Sequence, residues 1–593
     1  MKPRRDLLAA GGLTVSLFVV YALGACRTIY VGDSGELVTA VHLLGIPHPS
    51  GYPLYVLLGK IWTLIVPAGS IAFRMSLFSA AAASAACGVL YHLCRRIGLS
   101  AVASLLAALL LAFSPSFWGE ANVQRTYALN ALFLALATSA AWRWSDRKEP
   151  RALAFAFLLC GIGATNHLFM AVVAICVGVF ALIHEPALAR RLRVWGACAG
   201  AFVAGLVPLV YLPLRSRADP PLDWGDPETL RGFLRVLFRE DFWERAWIEK
   251  PGDLFVIGWD YLRSLGSETG WAGALLAAAG VVVLWRRGRF TLLPILVMAV
   301  NVAVLSLHGS RSDLFIWHRY YIPSYLMVAL LAGAGCHALL SRLPSRARPA
   351  VLILPAVMLV IGWPDADRSR YRIAEDFSTT VLRSLPPGAH LIATDDNVLF
   401  TLMYLHFVEK MRPDVDLILQ GVGDPDLPPL RFNPDVDPVF LTHHPNWRMS
   451  GLEIVPVGLV FRAWRAGRPR PDPVLPAPGL DGEIDPRVPK DHLTQNLIGQ
   501  FHYMLGVTFE ERDWSRARRE FDLAAASAPD NDVLFYNLGL IFRRNGLLDE
   551  ALAAFRRSQA INPRHLASPS RPRASDRIVE AEEEKARAGR GAR

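Results

Sequence analysis

The sequence predicts an α-helical, multi-pass membrane protein of about eleven spans, followed by a small α/β unit and α-helical repeats. Three observations predict this fold class. Hydrophobic residues make up 53% of the 593 residues and charged residues only 19%, which is unlike an ordinary soluble protein. Apolar runs recur as far as residue 363, and a 34-residue repeat follows near the C-terminus.

The apolar runs are long enough to cross a bilayer, which takes about 20 residues, or somewhat fewer in a tight bundle. The predicted spans are residues 7–25, 75–94, 100–117, 126–144, 151–166, 168–184, 194–214, 269–285, 290–307, 321–341 and 349–363. Basic clusters such as Arg95 and Arg96 then fall on the same side as the N-terminal MKPRR. Because cytoplasmic loops collect positive charge, we expect a cytoplasmic N-terminus in the inner (plasma) membrane.

One further apolar stretch, residues 53–69, is predicted to be an interfacial helix instead of a span, because it contains Lys60 and flanking prolines. The first span is expected to be an uncleaved anchor. These assignments make residues 1–365 a transmembrane domain with two long external loops, 26–74 and 215–268.

An odd number of spans places the remaining chain outside the cell. Residues 366–470 are predicted to form an α/β domain, with strands at His390 to Ala393 and Val415 to Leu419 around a helix from Asn397 to Met411. A Pro-rich linker is expected at 471–490, followed by repeats at 491–566 and a disordered tail at 567–593.

The repeats carry the spacing of tetratricopeptide motifs. Three residues recur 34 positions later: Ala517, Phe521 and Pro529 as Ala551, Phe555 and Pro563. Two such repeats seldom bury a stable core alone, so we expect them to lean on the neighbouring domain or on a protein partner.

Charge, cysteine pattern and motifs exclude several classes of function. The net charge is +10, but the basic residues form short clusters between apolar runs, which indicates membrane orientation and not a nucleic-acid partner. The seven cysteines lie in or beside apolar segments without metal-type spacing. The sequence contains no P-loop, dinucleotide fingerprint or HExxH motif.

The stretch "YVGDSGELVTAVHLLGIPHPSGYPLY" directly after the first span contains the strongest candidates for catalysis. Asp33 and Glu36 are three residues apart, so one helical turn would bring both carboxylates to one face. A carboxylate at the edge of an apolar bundle suits a general base. Alternatively, Asp33 only caps the helix that begins near Ser34. Prolines hold His48 in an extended chain near the same surface, where it is either functional or a turn histidine.

Further polar residues interrupt or flank the spans. Asn166 and His167 lie in an apolar stretch, where polar pairs line a cavity or pack helices. Asp395 and Asp396 follow a strand and begin a helix, so capping is favoured. Five external arginines could bind the phosphate of a lipid, or could extend to the membrane interface: Arg74, Arg125, Arg215, Arg217 and Arg319.

Five motifs, taken in order, resemble the membrane proteins that carry the domain of unknown function 2723. They are "DSGELVTAVHLLGIPHPSGYPLY", "SPSFWGEANVQRTYALN", "GIGATNHLFM", "YLPLRSRADPPLDWGDPETLRGFL" and "HRYYIPSY". That family includes the transmembrane protein 260 type of protein O-mannosyltransferase and is grouped with glycosyltransferases of the C-type fold.

The resemblance implies transfer of a sugar, mannose or another hexose, from a polyprenyl-phosphate donor to a protein or glycan hydroxyl on the external face. It makes Asp33 the base with Glu36 alongside. It also places a second set of residues around the cavity: His48, Asn166, His167, Arg215 and Arg319.

One departure from the family concerns Arg125, which stands where relatives commonly carry an acidic residue; this points to an altered pocket or to lost activity. Asp33 and Glu36 could hold a divalent ion, but two carboxylates are too few to specify one. Two other classes stay open: a transporter or flippase, and a non-catalytic membrane scaffold that displays its repeats.

Overall fold

The computed structural model describes residues 3–245, 248, 251–308, 318–420, 436–445, 451–476, 479–563 and 572–591. The first part of the chain is entirely helical apart from its turns and loops. Its helices are α1 (Pro3–Gly24), α2 (Ser34–Leu43), α3 (Pro53–Ile65), α4 (Ile71–Arg96), α5 (Ala101–Ala112), α6 (Pro115–Ala121), α7 (Tyr127–Arg147), α8 (Pro150–Ala164), α9 (Phe169–His184), α10 (Leu192–Gly205), α11 (Tyr211–Ser216), α12 (Leu230–Phe238), α13 (Pro251–Arg287), α14 (Leu292–His308), α15 (Ile322–Arg342) and α16 (Ile353–Ala366).

Each apolar segment predicted as a span is helical over most of its length. Within the described residues, six helical stretches are long and apolar enough to cross a membrane: Arg4–Gly24, Ile71–Arg96, Leu192–Ser216, Pro251–Arg286, His318–Arg342 and Ser345–Ala366. A seventh is obtained if α5 and α6, which meet at 69°, count as one broken span. Four shorter apolar helices, α3, α8, α9 and α14, accompany them. The protein is therefore a multi-pass, helical membrane protein.

The start of α1 and the end of α4 lie on the same side of the bundle, because Arg95 Nε is 2.9 Å from Asp6 Oδ1. The helices α2 and α3 connect these two long helices at the opposite end. The 13 residues of α3 extend only about 20 Å at the usual rise per residue. Its tip exposes Ile61, Leu64 and Ile65, which suits a helix lying along a membrane surface.

The α/β unit contains one five-stranded sheet. Its elements are α17 (Ile373–Ser384), β1 (His390–Ala393), α18 (Asp396–Met403), β2 (Asp416–Leu419), β3 (Val439–Leu441), β4 (Leu452–Pro456) and β5 (Phe461–Arg465). The strand order is β2-β1-β3-β5-β4. Strand β1 is parallel to β2 and β3, whereas β5 is antiparallel to β3 and β4. The predicted helix from Asn397 to Met411 is shorter, because α18 passes into a π-helical turn, Tyr404–Val408.

The predicted repeats form two helical hairpins, α19 (His492–Phe509) with α20 (Trp514–Ser527), and α21 (Asp532–Arg544) with α22 (Leu548–Ile561). The same contact recurs in both: Gly506 lies against the ring of Phe521, and Gly539 against that of Phe555. Helix α19 also packs on α17, where the rings of Phe501 and Phe377 are 6.4 Å apart. The hairpins thus lean on the α/β unit.

The tail differs from the expectation of disorder at 567–593. Residues Ala574–Gly591 form a helix, α23, while residues 567–571 and 592–593 lie outside the described residues. Ala574 and Ala581 are buried on its inner face, and Arg543 forms ion pairs with Glu580 and Glu584. Helix α23 therefore packs through its small buried alanines, and its acidic face is paired with Arg543.

Candidate active site

Asp33 lies between α1 and α2 and is held by an arginine from the loop before α7. Its side chain makes no capping hydrogen bond to α2. Instead Arg125 Nη1 is 2.5 Å from Asp33 Oδ2, and Arg125 Nη2 donates to the carbonyl oxygen of Val31 at 2.8 Å. The guanidinium side chain is 1% exposed and the carboxylate side chain 30% exposed. A buried cation thus presents a carboxylate that remains accessible to water.

The turn before Asp33 is shaped for this ion pair. Gly32 has φ +74°, and a Cβ atom there would lie 2.8 Å from Arg125 Nη2, so only glycine fits. Burial alone would raise the pKa of Asp33, but the positive charge of Arg125, with those of His48 and Arg319, holds this pKa well below its usual range. Asp33 is therefore ionised at any physiological pH.

Glu36 and His48 form a second pair beside Asp33. His48 donates through its backbone N–H to Glu36 Oε1 at 2.7 Å, and its Nδ1 is 2.5 Å from Glu36 Oε2. The Tyr52 hydroxyl lies 2.9 Å from Nε2 on the other side of the ring. Burial acts to lower the pKa of His48, but the Glu36 carboxylate raises it above its usual value. The Glu36 carboxylate thus favours the positively charged form of His48, close to Asp33.

A buried arginine, Arg319, approaches these residues from the turn before α15. Arg319 Nη1 is 3.5 Å from Glu120 Oε1, and its guanidinium lies over the rings of Tyr127 and Tyr320, 5.5 and 5.4 Å from their centroids. Glu120 was not predicted from the sequence. An acidic residue within the apolar stretch "FWGEANV" is the signal that could have identified it.

We call six of these residues the charged cluster: Asp33, Glu36, His48, Glu120, Arg125 and Arg319. Their charges come from three separate parts of the chain, residues 33–48, 120–125 and 319, and each member lies within electrostatic reach of another. Among the described residues, no group of three or more His, Cys, Asp or Glu side chains is arranged to hold a metal ion.

Asn166 and His167 border the charged cluster. The Asn166 side chain is buried and donates to the carbonyl oxygen of Thr126 at 3.3 Å, and the His167 ring centroid is 6.0 Å from that of Tyr127. Burial, followed by the charges of Arg239 and His48, lowers the pKa of His167 to about 3. His167 is therefore neutral and can both donate and accept a hydrogen bond.

Arg239, at the end of α12, was not predicted. Its guanidinium lies 4.9 Å from the ring centroid of Phe242, which is 6.4 Å from that of His48. Its charge also acts on Tyr52 and His167. Its guanidinium makes no hydrogen bond or ion pair within the part of the chain that the structure describes. The polar loop 215–268 was predicted to be external, but nothing in its pattern shows that it folds back onto His48.

Three of the predicted phosphate-binding arginines lie away from the charged cluster. Arg74 donates to the carbonyl oxygens of Thr63 and Gly69 and closes the turn between α3 and α4. Arg215 donates to the carbonyl oxygens of Leu43 and Leu44, at the end of α2 opposite Asp33. Arg217 is exposed. These three positions give no support to phosphate binding.

Known proteins are similar to this chain in sequence and in fold. Residues 33–188 match the family described as Protein O-mannosyl-transferase TMEM260 N-terminal domain. The chain is 28% identical to Protein O-mannosyl-transferase TMEM260 of Mus musculus over 77% of this chain and 69% of that protein. It is 23% identical to Protein O-mannosyl-transferase tmem260 of Dictyostelium discoideum over 68% of this chain and 56% of that protein, little more than half its length.

Two solved structures of ArnT from Cupriavidus metallidurans have a similar fold. The apo structure matches 73% of this chain and 93% of ArnT with a TM-score of 0.50. The structure bound to undecaprenyl phosphate matches 78% of this chain and 99% of ArnT with a TM-score of 0.51, and both are 14% identical in sequence. The predicted fold of the C-type glycosyltransferases is confirmed. Over residues 33–188, the chain is thus similar in sequence to the TMEM260 N-terminal domain.

Proposed function

We propose that the chain is a membrane glycosyltransferase that takes a sugar from a polyprenyl-phosphate carrier and passes it to a hydroxyl of a protein or glycan, with Asp33 as the general base. The observation that carries this proposal is the Asp33–Arg125 pair, which holds an ionised, water-accessible carboxylate directly after the first long apolar helix. There a lipid-linked donor and a water-borne acceptor could meet.

In the proposed reaction, the acceptor hydroxyl donates a hydrogen bond to Asp33 and attacks the anomeric carbon on the face opposite the phosphate. The new C–O bond forms as the bond from the anomeric carbon to the phosphate oxygen breaks, and the proton moves to Asp33. The attacking hydroxyl becomes strongly acidic as it bonds to carbon. A carboxylate of low pKa is therefore a sufficient base, and Arg125 keeps it charged and oriented.

The departing lipid phosphate needs nearby cations, because negative charge develops on its oxygen. Arg239 and Arg319 are the best candidates, since both guanidinium groups act on residues around Asp33. Arg215, predicted for this role, donates to two backbone carbonyl oxygens instead. Arginine suits the task because its planar fork matches phosphate oxygens.

Relatives and structural neighbours support this choice of sugar, acceptor and lipid carrier. The relatives carry the name Protein O-mannosyl-transferase, which favours mannose and a protein acceptor. The structural neighbour bound to undecaprenyl phosphate favours a polyprenyl-phosphate carrier. We place the N-terminus in the cytoplasm, and the charged cluster with the C-terminal units on the external face. The repeats would then hold an acceptor protein or an assembly partner.

The proposal is tested by intact-mass analysis of envelope proteins from cells that express the wild-type chain, Asp33→Asn or no chain. Transfer predicts hexose mass increments that appear with the wild-type chain and disappear with Asp33→Asn at equal expression. Unchanged masses in all three cultures would contradict the proposal and favour a transporter or a scaffold.

A further inference from the structure

The α/β unit brings two neighbouring carboxylates, Asp395 and Asp396, to the start of α18. The sequence favoured capping for both, but only Asp395 caps the helix, with Oδ1 accepting from the backbone N–H of Asn397 at 2.9 Å. Asp396 is exposed, and its side chain has no hydrogen bond or ion pair among the described residues. Helix formation therefore leaves the Asp396 carboxyl free for another role.

Helix α18 lies directly against α2, the helix that carries Glu36 and follows Asp33. A Cβ atom on Gly35 would lie 2.1 Å from the carbonyl oxygen of Phe400, so the two backbones are in contact. Phe400 is one helical turn after Asp396, and Gly35 is two residues after Asp33. The first turn of α18 is thereby held at the edge of the charged cluster.

Asp396 faces charged groups from each element around it. Asp33, Glu36 and His48 act on it from α2 and its flanking loops, and Asp395 acts from its own helix. His443, after β3, is 3.9 Å from Asp395. Desolvation comes first, and the neighbouring negative charges follow; together they raise the pKa of Asp396 to about 7. The Asp396 carboxyl is therefore accessible to water and close to the charges of the cluster.

We propose, on the basis of the function proposed above, that Asp396 belongs to the transfer site: it receives the acceptor's proton from Asp33 and passes it to water. In the complete step, the acceptor O–H bond breaks and the new C–O bond forms at the anomeric carbon. The bond between the anomeric carbon and the phosphate oxygen breaks, and its electron pair stays on that oxygen. The proton moves from the hydroxyl to Asp33, then to Asp396, then to water. Nothing is oxidised or reduced.

The different roles of Asp33 and Asp396 follow from the surroundings of their carboxyl groups. Arg125 makes Asp33 a carboxyl that releases a proton readily, whereas three acidic neighbours, Asp33, Asp395 and Glu36, act on Asp396 more strongly than the cation His48 does. Proton transfer from Asp33 to Asp396 therefore runs downhill and restores Asp33 for the next turnover. The α/β unit would then contribute a reacting group to the site.

The test is the pH dependence of kcat for the full chain in lipid vesicles, with a synthetic polyprenyl-phosphate mannose donor and a hydroxyl-containing acceptor peptide. We expect kcat of the wild-type chain to increase with pH around pH 7, as Asp396 ionises. We call this increase the limb of the pH profile. Asp396→Asn should remove this limb and lower kcat by about 10², the low end for proton-transfer groups. Asp396→Glu should keep the limb.

Asp395→Asn is the matched control, because asparagine caps a helix as well as aspartate does and the limb should persist. If Asp396→Asn is unstable, Asp396→Ser replaces it, since serine is equally suited to a helix start. Wild-type rate and pH profile in the Asp396 variants would overturn this inference and leave the proposed function standing. No transfer by the wild-type chain at any pH would overturn both.

Discussion

Arg125 and Asp33 join two segments that are 92 residues apart in sequence through a contact of 2.5 Å. The cation is buried and the anion is part-exposed, so the pair is anchored on one side and open to reactants on the other. The position at which the resemblance suggested an altered pocket or lost activity instead holds the partner of the proposed base.

Replacing Arg125 should destabilise the protein. In Arg125→Gln the Asp33 carboxylate stays partly desolvated without its cation, so we expect a loss of about 3 kcal/mol at neutral pH, the low end for a broken buried pair. The depressed pKa of Asp33 adds stability above its unfolded pKa and loses it as pH falls through the folded pKa. The variant should therefore lose less stability on acidification, measured by thermal unfolding. Arg217→Gln, which changes an exposed arginine, should match the wild type.

The Glu36–His48 pair predicts a pH dependence of the opposite sign. The pKa of His48 is raised in the folded protein, so its contribution is complete below the unfolded value of about 6.5 and is lost as pH rises through the folded pKa. Glu36→Gln should remove this part of the stability profile. Identical melting curves for the variant and the wild type from pH 6 to 9 would contradict the assignment.

The contact between α2 and α18 predicts that Gly35→Ala is damaging. The new methyl group would overlap the Phe400 carbonyl oxygen, forcing the α/β unit away from the charged cluster. We expect about 1–3 kcal/mol of destabilisation and a loss of transfer. Gly12→Ala adds the same methyl group where nothing lies within 4 Å, and since alanine favours a helix over glycine, it should lower neither the melting temperature nor the activity.

Arg239 is predicted to contact the donor phosphate. Arg239→Gln should lower kcat/KM for the lipid-linked donor by about 10², as expected for one positioned donor at a developing charge. The kinetics should be compared with those of Arg217→Gln, an exposed arginine in the same segment, residues 215–268. Equal donor kinetics for the two variants would remove Arg239 from the phosphate site.

His502 links the linker to the repeats, and this contact is predicted to depend on pH. Its ring nitrogens are 2.6 Å from Glu483 and 2.7 Å from Glu520. Burial acts to lower its pKa, but these two hydrogen bonds raise it to about 9. Roughly 3 kcal/mol of stability should be present below pH 6.5 and lost as pH rises through 9. His502→Gln should flatten this pH dependence of stability in thermal unfolding of the full chain. An unaltered dependence in the variant would contradict the role of His502.

The sequence could predict features that follow from local patterns. Apolar runs located the helices, and a short apolar run located the strand His390–Ala393 with its observed bounds. The acidic turn identified Asp33 and Glu36 because carboxylates beside an apolar span are unusual. The tail was mispredicted as disordered, since its composition does not reveal that Arg543 supplies a partner for its acidic face.

The partners within the site could not be read from the sequence. Arg239 and Asp396 reach the charged cluster through the return of a loop and the docking of a separate unit, which leave no periodic signal. Arg215 and Arg319 looked equivalent as external arginines. Only the fold shows that one binds backbone carbonyl oxygens while the other lies among Glu120 and two tyrosine rings.

The most direct test of the central claim is the rate at which the purified chain releases polyprenyl phosphate from a labelled donor in the presence of acceptor. Asp33→Asn is compared with Asp6→Asn, which alters a carboxylate paired with Arg95 at the other end of the bundle. We predict that Asp33→Asn lowers kcat by about 10³ or more at nearly unchanged donor KM, while Asp6→Asn retains activity. Wild-type turnover by Asp33→Asn would contradict the account.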